Sequence, residues 1–264
     1  MIKSILKKIL SQKGYKIVPI AEEKTDKNVQ TLAETIVLAR NSALPNLPVQ
    51  GNEKRISLIN NLIGTNPTEG LYIIDSIAKT AALDGDVCEF GVAQGATSAL
   101  IGNEIKDSTK NFWLFDSFKG LPKPTEKDQL CDDIFNLGDI NAYEGSMAFD
   151  VFKVKDRLQS VQFPENRVKI VSGFIEETIK FSNLPTKVSF AYVDFDFYEP
   201  IVIALDFLHK VMPVGGMIIV DDYDFFSTGA KSATDEFVAA HAYEYQIFVP
   251  QKELGHFAVL KRIN

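Results

Sequence analysis

Two pairs of acidic residues follow apolar segments of this chain and could together bind a cation. Asp194 and Asp196 lie in AYVDFDFYEP, and Asp221 and Asp222 lie in MIIVDDY. A helix-like segment, EPIVIALDFLHKVM, separates the two pairs. If both apolar segments are strands of one parallel sheet, their carboxyl ends meet at the edge where open α/β folds bind ligands. Carboxylates this close repel unless a cation neutralises them or one is protonated, so the pattern predicts a site for a hard divalent ion.

A glycine-containing turn earlier in the chain predicts a second ligand site. Glu89, Gly91 and Gly95 lie in EFGVAQG, between an apolar segment and a helix-like segment. Glycines let the backbone approach a ligand closely, and a helix N-terminus favours polar or negative groups. Asp116 ends the next apolar segment, where an acid suits the hydroxyls of a ribose. The glycine spacing differs from that of dinucleotide enzymes, which favours an adenosyl ligand without a pyrophosphate, S-adenosylmethionine. Gly91, Gly95 and Asp116 together favour a ligand site over a turn that only packs.

Alternating segments must position these residues. From residue 70 onward, apolar segments alternate with helix-like ones, and this predicts a parallel, doubly wound α/β fold. Two further apolar segments near the C-terminus, YQIFVPQ and HFAVLKRI, predict an antiparallel hairpin that completes a mostly parallel seven-stranded sheet. The predicted strands before the hairpin are DVCEFGV, NFWLFDSF, RVKIVSG, KVSFAYVDFD and MIIVDDY.

Two segments do not fit this alternation. Residues 1–55 are predicted to form a helical extension of a domain over 56–264. Residues 1–16 have the pattern of a basic amphipathic helix, which would pack on the protein body or on a second subunit of a homodimer, or contact a membrane surface. Residues 119–150 are too long for an ordinary loop at this edge of the sheet, and their apolar content predicts a lid rather than a disordered loop.

Composition excludes several classes of function. A formal net charge of -7 argues against a nucleic-acid-binding surface. The two cysteines, Cys88 and Cys131, lack the spacing of a zinc site or a redox pair, which fits a reduced, cytoplasmic setting. The sequence has no apolar run of membrane-spanning length and no signal-peptide pattern.

Five segments in this order resemble the macrocin O-methyltransferase family of metal-dependent sugar O-methyltransferases. They are DGDVCEFGVAQGATS, FDSFKGLP, VSGFIEETI, YVDFDFYEP and GGMIIVDDY. The resemblance covers about residues 55–262 and implies a Rossmann-like class I methyltransferase that uses S-adenosylmethionine and a Mg²⁺-type ion. The acceptor it implies is a sugar of a natural product or a surface polysaccharide.

The resemblance also implies roles for individual residues. The methionine part of the cofactor would contact Glu89, Gly91, Gly95 and Ser98, and the ribose Asp116. Ser117 and Phe118 would border the adenosine, and Gly173, Phe174 and Glu176 would lie near the adenine. The metal ligands would be Asp194, Asp221 and Asp222, with Asp196 as the general base.

These roles agree with the chemistry of hydroxyl methylation. Two neighbouring hydroxyls that chelate a divalent ion become more acidic, and a nearby carboxylate can accept the proton. If the strand stays extended, Asp194 and Asp196 share one side of it because side chains alternate; a helix-capping role is the alternative for Asp196. A catechol-type acceptor is a second candidate, disfavoured because Phe195 and Asp196 stand where those enzymes carry a lysine. A non-catalytic cofactor-binding protein of the same fold is a third.

Overall fold

A twisted sheet carries the residues predicted to do chemistry. The computed structural model describes residues 53–264, so the predicted extension over residues 1–55 and its amphipathic segment 1–16 fall almost entirely outside the described part. Within residues 53–264 the strands are β1 (Asp86–Phe90), β2 (Phe112–Asp116), β3 (Val168–Ser172), β4 (Val188–Val193), β5 (Met217–Val220), β6 (Tyr245–Phe248) and β7 (Ala258–Arg262).

The strand order confirms the predicted fold class. The seven strands form one sheet in the order β3-β2-β1-β4-β5-β7-β6. The first five in sequence pair in parallel, whereas β7 runs antiparallel to both β5 and β6. The order reverses direction at β1 and β4, and ligands bind at such a switch point in open α/β sheets.

Helices connect the strands and cover both faces of the sheet. They are α1 (Glu53–Asn60), α2 (Pro67–Thr80), α3 (Ala96–Ile105), α4 (Val151–Ser160), α5 (Ile175–Thr178), α6 (Tyr198–Val211) and α7 (Thr228–Ala240). Short 3₁₀ turns occur at Ile140–Tyr143, Glu165–Arg167 and Lys252–Leu254. No helix among residues 53–264 is long and apolar enough to cross a membrane.

The central strand β4 shows how the two faces form separate cores. Ala191 and Val193 pack with α6 and α7 residues on one face, and Phe190 and Tyr192 pack on the other. All six β4 residues are buried, as expected for a strand covered by helices on both sides. Each fully buried large side chain contributes roughly 1.5–3 kcal/mol, so the middle of the sheet gives the site a rigid base.

Residues 119–150 fold against the carboxyl edge of the sheet. Leu121 and Tyr143 form a small apolar cluster with Phe197 and Phe226. The Tyr143 hydroxyl donates to Asp133 Oδ1 at 2.7 Å and accepts from the Phe135 amide at 2.9 Å. The segment is therefore an ordered part of the described structure, and its opening and closing as a lid stays a prediction.

Candidate active site

The carboxyl ends of the parallel strands border one cavity of about 400 Å³. Residues 119–150 form part of its wall, as does Phe225. Most of the residues predicted from the sequence line this cavity: Gly91, Asp116, Ser117, Gly173, Phe174, Glu176, Asp194, Asp196, Asp221 and Asp222. The two ligand sites predicted separately are thus parts of one cavity.

Three carboxylates converge in this cavity. Asp194, Asp196 and Asp222 each offer an oxygen, and these oxygens lie within 4.8 Å of one another. Burial raises the pKa of Asp196 to about 7, and the charge of Asp221 adds to this while a hydrogen bond with Asp222 opposes it. Burial, followed by the charge of Asp221, also raises the pKa of Asp194 and Asp222 well above the usual range. Without a bound cation, the ionised forms of these three carboxyl groups therefore lower the free energy of unfolding.

The backbone turns sharply to bring Asp194 and Asp196 together. Strand β4 ends at Val193, the Phe197 amide donates to the Phe195 carbonyl at 2.6 Å, and Asp196 has φ 63°. The chain therefore does not stay extended through Asp196, and the condition under which alternation would place the two acids on one side is not met. They meet because a tight turn follows the strand, and such a turn requires the left-handed backbone that aspartate tolerates better than most residues.

The start of α7 holds the turn in place. Ser227 Oγ donates to the Asp196 carbonyl at 2.7 Å and accepts from the Gly229 amide at 3.1 Å, so one side chain caps α7 and fixes Asp196. Asp222 also has a left-handed backbone, φ 53°. Strained residues of this kind persist at functional sites when the surrounding structure fixes them.

Asp221 differs from the other three acids. Its Oδ2 accepts from the Tyr192 hydroxyl at 2.5 Å and its Oδ1 accepts from the Asp222 amide at 2.7 Å. Its carboxyl also lies beside that of Glu69, whose pKa burial and the charge of Asp221 raise well above the usual range. The structure thus groups Asp196 with Asp194 and Asp222, and places Asp221 behind them on buried partners. The predicted ligand set of Asp194, Asp221 and Asp222 stays a prediction.

The glycine turn after β1 packs directly on the acidic region. Gly91 has φ 83°, and a Cβ built on it would lie 1.8 Å from the Asp194 carbonyl oxygen. No other residue type fits there without moving the backbone. Gly95, with φ 79°, is the N-cap of α3, and a Cβ on it would lie 3.0 Å from Val154 Cα.

Asp116 organises the turn from the neighbouring strand. Its Oδ2 accepts from the amides of Val92 and Ala93 at 2.7 and 2.9 Å, and its Oδ1 accepts from the Phe118 amide at 2.6 Å. Ser117 Oγ donates to the Gly120 carbonyl at 2.8 Å, which ties the end of β2 to residues 119–150. Asp116 lines the cavity while these bonds fix its carboxylate.

Four predicted cofactor residues do not line the cavity. Glu89 and Ser98 are buried, and Ser98 Oγ donates to Glu89 Oε2 at 2.5 Å, so the two side chains bind each other between β1 and α3. Burial raises the pKa of Glu89 well above the usual range. Gly95 shapes the turn behind the wall, and Phe118 packs on the core. Direct cofactor contact by these four residues stays a prediction.

Several residues of the site are not predicted from the sequence. Glu69 and Tyr192 are far from Asp221 in sequence, and each also fits an apolar-face position of an ordinary helix or strand. Ser227 carried a usable signal, since a serine before a helix-like segment is typical of an N-cap. The cavity-lining residues of the 119–150 segment had only their apolar character as a signal: Leu121, Pro122, Ile134, Phe135, Met147 and Phe149.

The donor set fits a hard divalent cation. The acidic residues in the wall supply only oxygen donors, which Mg²⁺ and Ca²⁺ prefer. No Lys, Arg or His among residues 53–264 lines the cavity, so no cationic side chain of the described part stands among the carboxylates in its wall. Burial, and after it the neighbouring negative charges, raise the pKa of Asp194, Asp196 and Asp222, as expected for clustered carboxylates without a cation.

Solved structures share this fold. The O-methyltransferase NovP superposes with a TM-score of 0.62 at 22% identity, over 75% of this chain and 81% of NovP. The O-methyltransferase TomG from Streptomyces achromogenes, solved in complex with S-adenosylmethionine (SAM), gives a TM-score of 0.50 at 11% identity, over 86% of this chain and 96% of TomG. These structural similarities confirm the predicted Rossmann-like methyltransferase fold.

Sequence comparison gives the family. The 8-demethyl-8-(2,3-dimethoxy-alpha-L-rhamnosyl)-tetracenomycin-C 4'-O-methyltransferase of Streptomyces olivaceus is 24% identical over 171 residues, or 63% of this chain. The match spans 64% of that relative, less than two thirds of its length. The model of the macrocin O-methyltransferase family, TylF, matches residues 6–256. This chain belongs to the macrocin O-methyltransferase family.

Proposed function

We propose that this chain is an O-methyltransferase that uses SAM and a divalent metal ion to methylate one hydroxyl of a vicinal diol on a sugar. The sugar would belong to a natural product or a surface polysaccharide. One observation carries the proposal: the three converging carboxylates and the glycine turn with Asp116 border the same cavity. Family membership and the rhamnosyl acceptor in the relative's name support a sugar as the methyl acceptor.

The glycine-turn side of the cavity would hold the cofactor. Gly91 lets the backbone lie close to a ligand, and Asp116 presents carboxylate lone pairs that suit two ribose hydroxyls. The wall after β3, with Gly173, Phe174 and Glu176, would contact the adenine. An acidic cavity also favours the positive sulfonium and ammonium groups of SAM.

The acidic side of the cavity would hold the metal ion and the acceptor. Asp194, Asp221 and Asp222 are the proposed ligands, and a Mg²⁺-type ion bound there would supply Lewis acidity to a chelating diol. Asp196 is the proposed general base. Burial raises the pKa of Asp196 to about 7 in the protein without the ion, and a bound cation would lower it, so the group would be a carboxylate able to accept a proton near neutral pH.

The remaining residues would position the reaction. Methyl transfer needs the acceptor oxygen in line with the sulfonium carbon, so much of the acceleration comes from orientation. Gly91 contacts the Asp194 backbone directly, which couples the cofactor side to the acidic side. The apolar wall of residues 119–150 would exclude water from the reacting groups.

Calorimetry and a methyl-transfer screen test the proposal. S-adenosylhomocysteine should bind the purified full-length protein, and product should form from a panel of sugars and glycosides with Mg²⁺ but not with a chelator. An ortho-diphenol in the panel tests the catechol alternative. Absence of S-adenosylhomocysteine binding would refute the cofactor, and turnover that a chelator leaves unchanged would refute the metal.

Two variants separate the roles of the acids. Asp196→Asn should abolish turnover while Mg²⁺ and S-adenosylhomocysteine still bind, whereas Asp222→Asn should weaken Mg²⁺ binding. If Asp196→Asn weakens Mg²⁺ binding as much as Asp222→Asn does, then Asp196 is a ligand and the proposed base is wrong. Asp221→Asn tests the third proposed ligand in the same way.

A further inference from the structure

A second group of metal-ligating side chains lies at the opposite edge of the sheet. His209 is in the last turn of α6, His241 follows the end of α7, and Glu244 lies in the turn before β6. The acidic cluster lies instead at the N-terminal ends of α6 and α7. Helix α6 has 14 residues, so at about 1.5 Å per residue the two groups are roughly 20 Å apart.

We propose that His209, His241 and Glu244 form a metal site for a borderline divalent ion such as Zn²⁺, distinct from the acidic cluster. One ligand atom from each side chain lies within 4.8 Å of the other two. His241 Nδ1 lies 3.1 Å from Glu244 Oε1, and His209 Nε2 lies 3.9 Å from Glu244 Oε2. Ligand atoms of a tetrahedral ion with bonds of about 2.0–2.1 Å are ~3.4 Å apart, close to the separation between His241 Nδ1 and Glu244 Oε1.

The donor types select the ion. Two imidazoles and one carboxylate are typical ligands of Zn²⁺, Co²⁺ and Ni²⁺, whereas Mg²⁺ prefers oxygen donors. The three side chains are 24%, 23% and 35% exposed, so an ion can enter and keep water in its remaining position. His209 Nδ1 is buried and has no hydrogen-bond partner among the described residues, so Nε2, which faces Glu244, is the nitrogen that an ion could reach.

The surroundings hold the ligands in place. The two imidazole rings lie 4.0 Å apart between centroids, and Phe237 packs at 4.8 Å from the His241 ring. Both helices end here, and helix C-termini favour positive charge. Arg262 lies 3.6 Å from Glu244 Oε2, but its guanidinium is bound to the His209 and Met212 carbonyls at 2.6 and 2.7 Å. The arginine therefore approaches Glu244 from the Oε2 side, and Oε1 lies beside His241.

The chain offers few competing ligands, which makes the site testable. Its three histidines are His209, His241 and His256, and its two cysteines are Cys88 and Cys131. His256 lies outside the group, with Nδ1 at 2.8 Å from Asp224 Oδ1, and it is 35% exposed. Cys88 is buried and Cys131 is exposed. His256→Gln and Cys131→Ser are therefore matched controls.

The experiment is Zn²⁺ titration calorimetry on metal-free, full-length protein with saturating Mg²⁺ to occupy the acidic cluster. One Zn²⁺ should bind per chain, and Co²⁺ should give the visible absorption of an imidazole-ligated ion. His241→Gln and His209→Gln should each weaken Zn²⁺ binding by about 100-fold, at least as much as loss of an outer partner of a metal ligand costs. His256→Gln and Cys131→Ser should change it less than about twofold.

Two results would overturn the proposal. One is a Zn²⁺ affinity that His209→Gln and His241→Gln leave unchanged, and the other is Zn²⁺ binding that only Asp194→Asn or Asp222→Asn removes. Should a histidine variant fail to fold, Glu244→Gln serves instead, since Glu244 lies in a turn and is 35% exposed. Loss of the Co²⁺ absorption in the Glu244→Gln variant would support the site, and an unaltered spectrum would refute it.

Discussion

Replacing Asp196 by asparagine should stabilise the metal-free protein while it removes activity. The pKa of Asp196 is raised from 3.8 to about 7, chiefly by burial. A carboxyl whose pKa is higher in the folded state lowers the free energy of unfolding as pH rises through the interval between the two values. The loss is complete above pH 7, and asparagine, which carries no charge, escapes it. Asparagine also tolerates the left-handed backbone at this position, φ 63°.

The expected gain in stability follows from the difference between the two pKa values of Asp196. At about 1.4 kcal/mol per pKa unit, the upper limit is about 4 kcal/mol at pH 8. The side chain faces a cavity that water can enter, and Asp194 and Asp222 become easier to ionise once one charge is gone. We therefore expect a gain of about 1–3 kcal/mol at pH 8 and a smaller gain at pH 5.

Urea denaturation in the presence of a chelator measures this gain at the two pH values. Asp75→Asn is the matched control, because Asp75 is also buried but forms an ion pair with Lys79 at 2.5 Å. Its replacement should destabilise the protein or leave it unchanged, since it removes a paired charge. A gain for Asp196→Asn that is equal at pH 5 and pH 8, or a loss at both, would refute the electrostatic account.

Three further variants test the parts around the acids. Asp116→Asn should weaken S-adenosylhomocysteine binding by about 10–100-fold, the worth of one hydrogen bond to a charged group, with Mg²⁺ binding retained in calorimetry. Gly91→Ala should lower the free energy of unfolding by about 3 kcal/mol or more. The control Gly138→Ala should lower it by about 1 kcal/mol, because Gly138 has a similar φ of 78° but open space around it. Equal losses would show that the contact with Asp194 is unimportant. Ser227→Ala should lower kcat about tenfold through Asp196 without changing cofactor binding, whereas Ser232→Ala on the same helix should not.

The sequence was sufficient to predict the strands and the edge at which the site lies. Apolar segments such as MIIVDDY stand out because parallel strands are buried on both faces, and the carboxyl ends of neighbouring strands must meet. Asp194 and Asp222, which follow two such strands, must therefore lie near each other whatever the direction of their side chains. This holds because β4 and β5 are adjacent and parallel.

Side-chain direction was beyond this reasoning. Adjacent residues such as Asp221 and Asp222 point to different sides, and which of them joins Asp194 and Asp196 depends on the backbone turn after β5. The turn places Asp222 at φ 53° and sends Asp221 toward Tyr192 and Glu69. Glu69 belongs to a helix far away in the sequence, so only the packing of α2 on the sheet brings it there.

Gly91 shows why the cofactor turn and the acidic region act as one site. They are predicted from separate segments, and each has a local reason for its residues. In the structure the end of β1 lies so close to Asp194 that even a methyl group at position 91 would overlap the Asp194 carbonyl. The Asp194 amide, in turn, donates to the Phe90 carbonyl at 2.7 Å. A change in the turn that would hold the cofactor must therefore displace a proposed metal ligand, because packed backbones shift together rather than deform independently.

On this geometry, cofactor binding and metal binding should be coupled. Mg²⁺ should change the affinity for S-adenosylhomocysteine by the same factor by which S-adenosylhomocysteine changes the affinity for Mg²⁺. Calorimetric titrations of each ligand in the absence and presence of the other measure both factors, and affinities that are independent of each other would contradict the coupling.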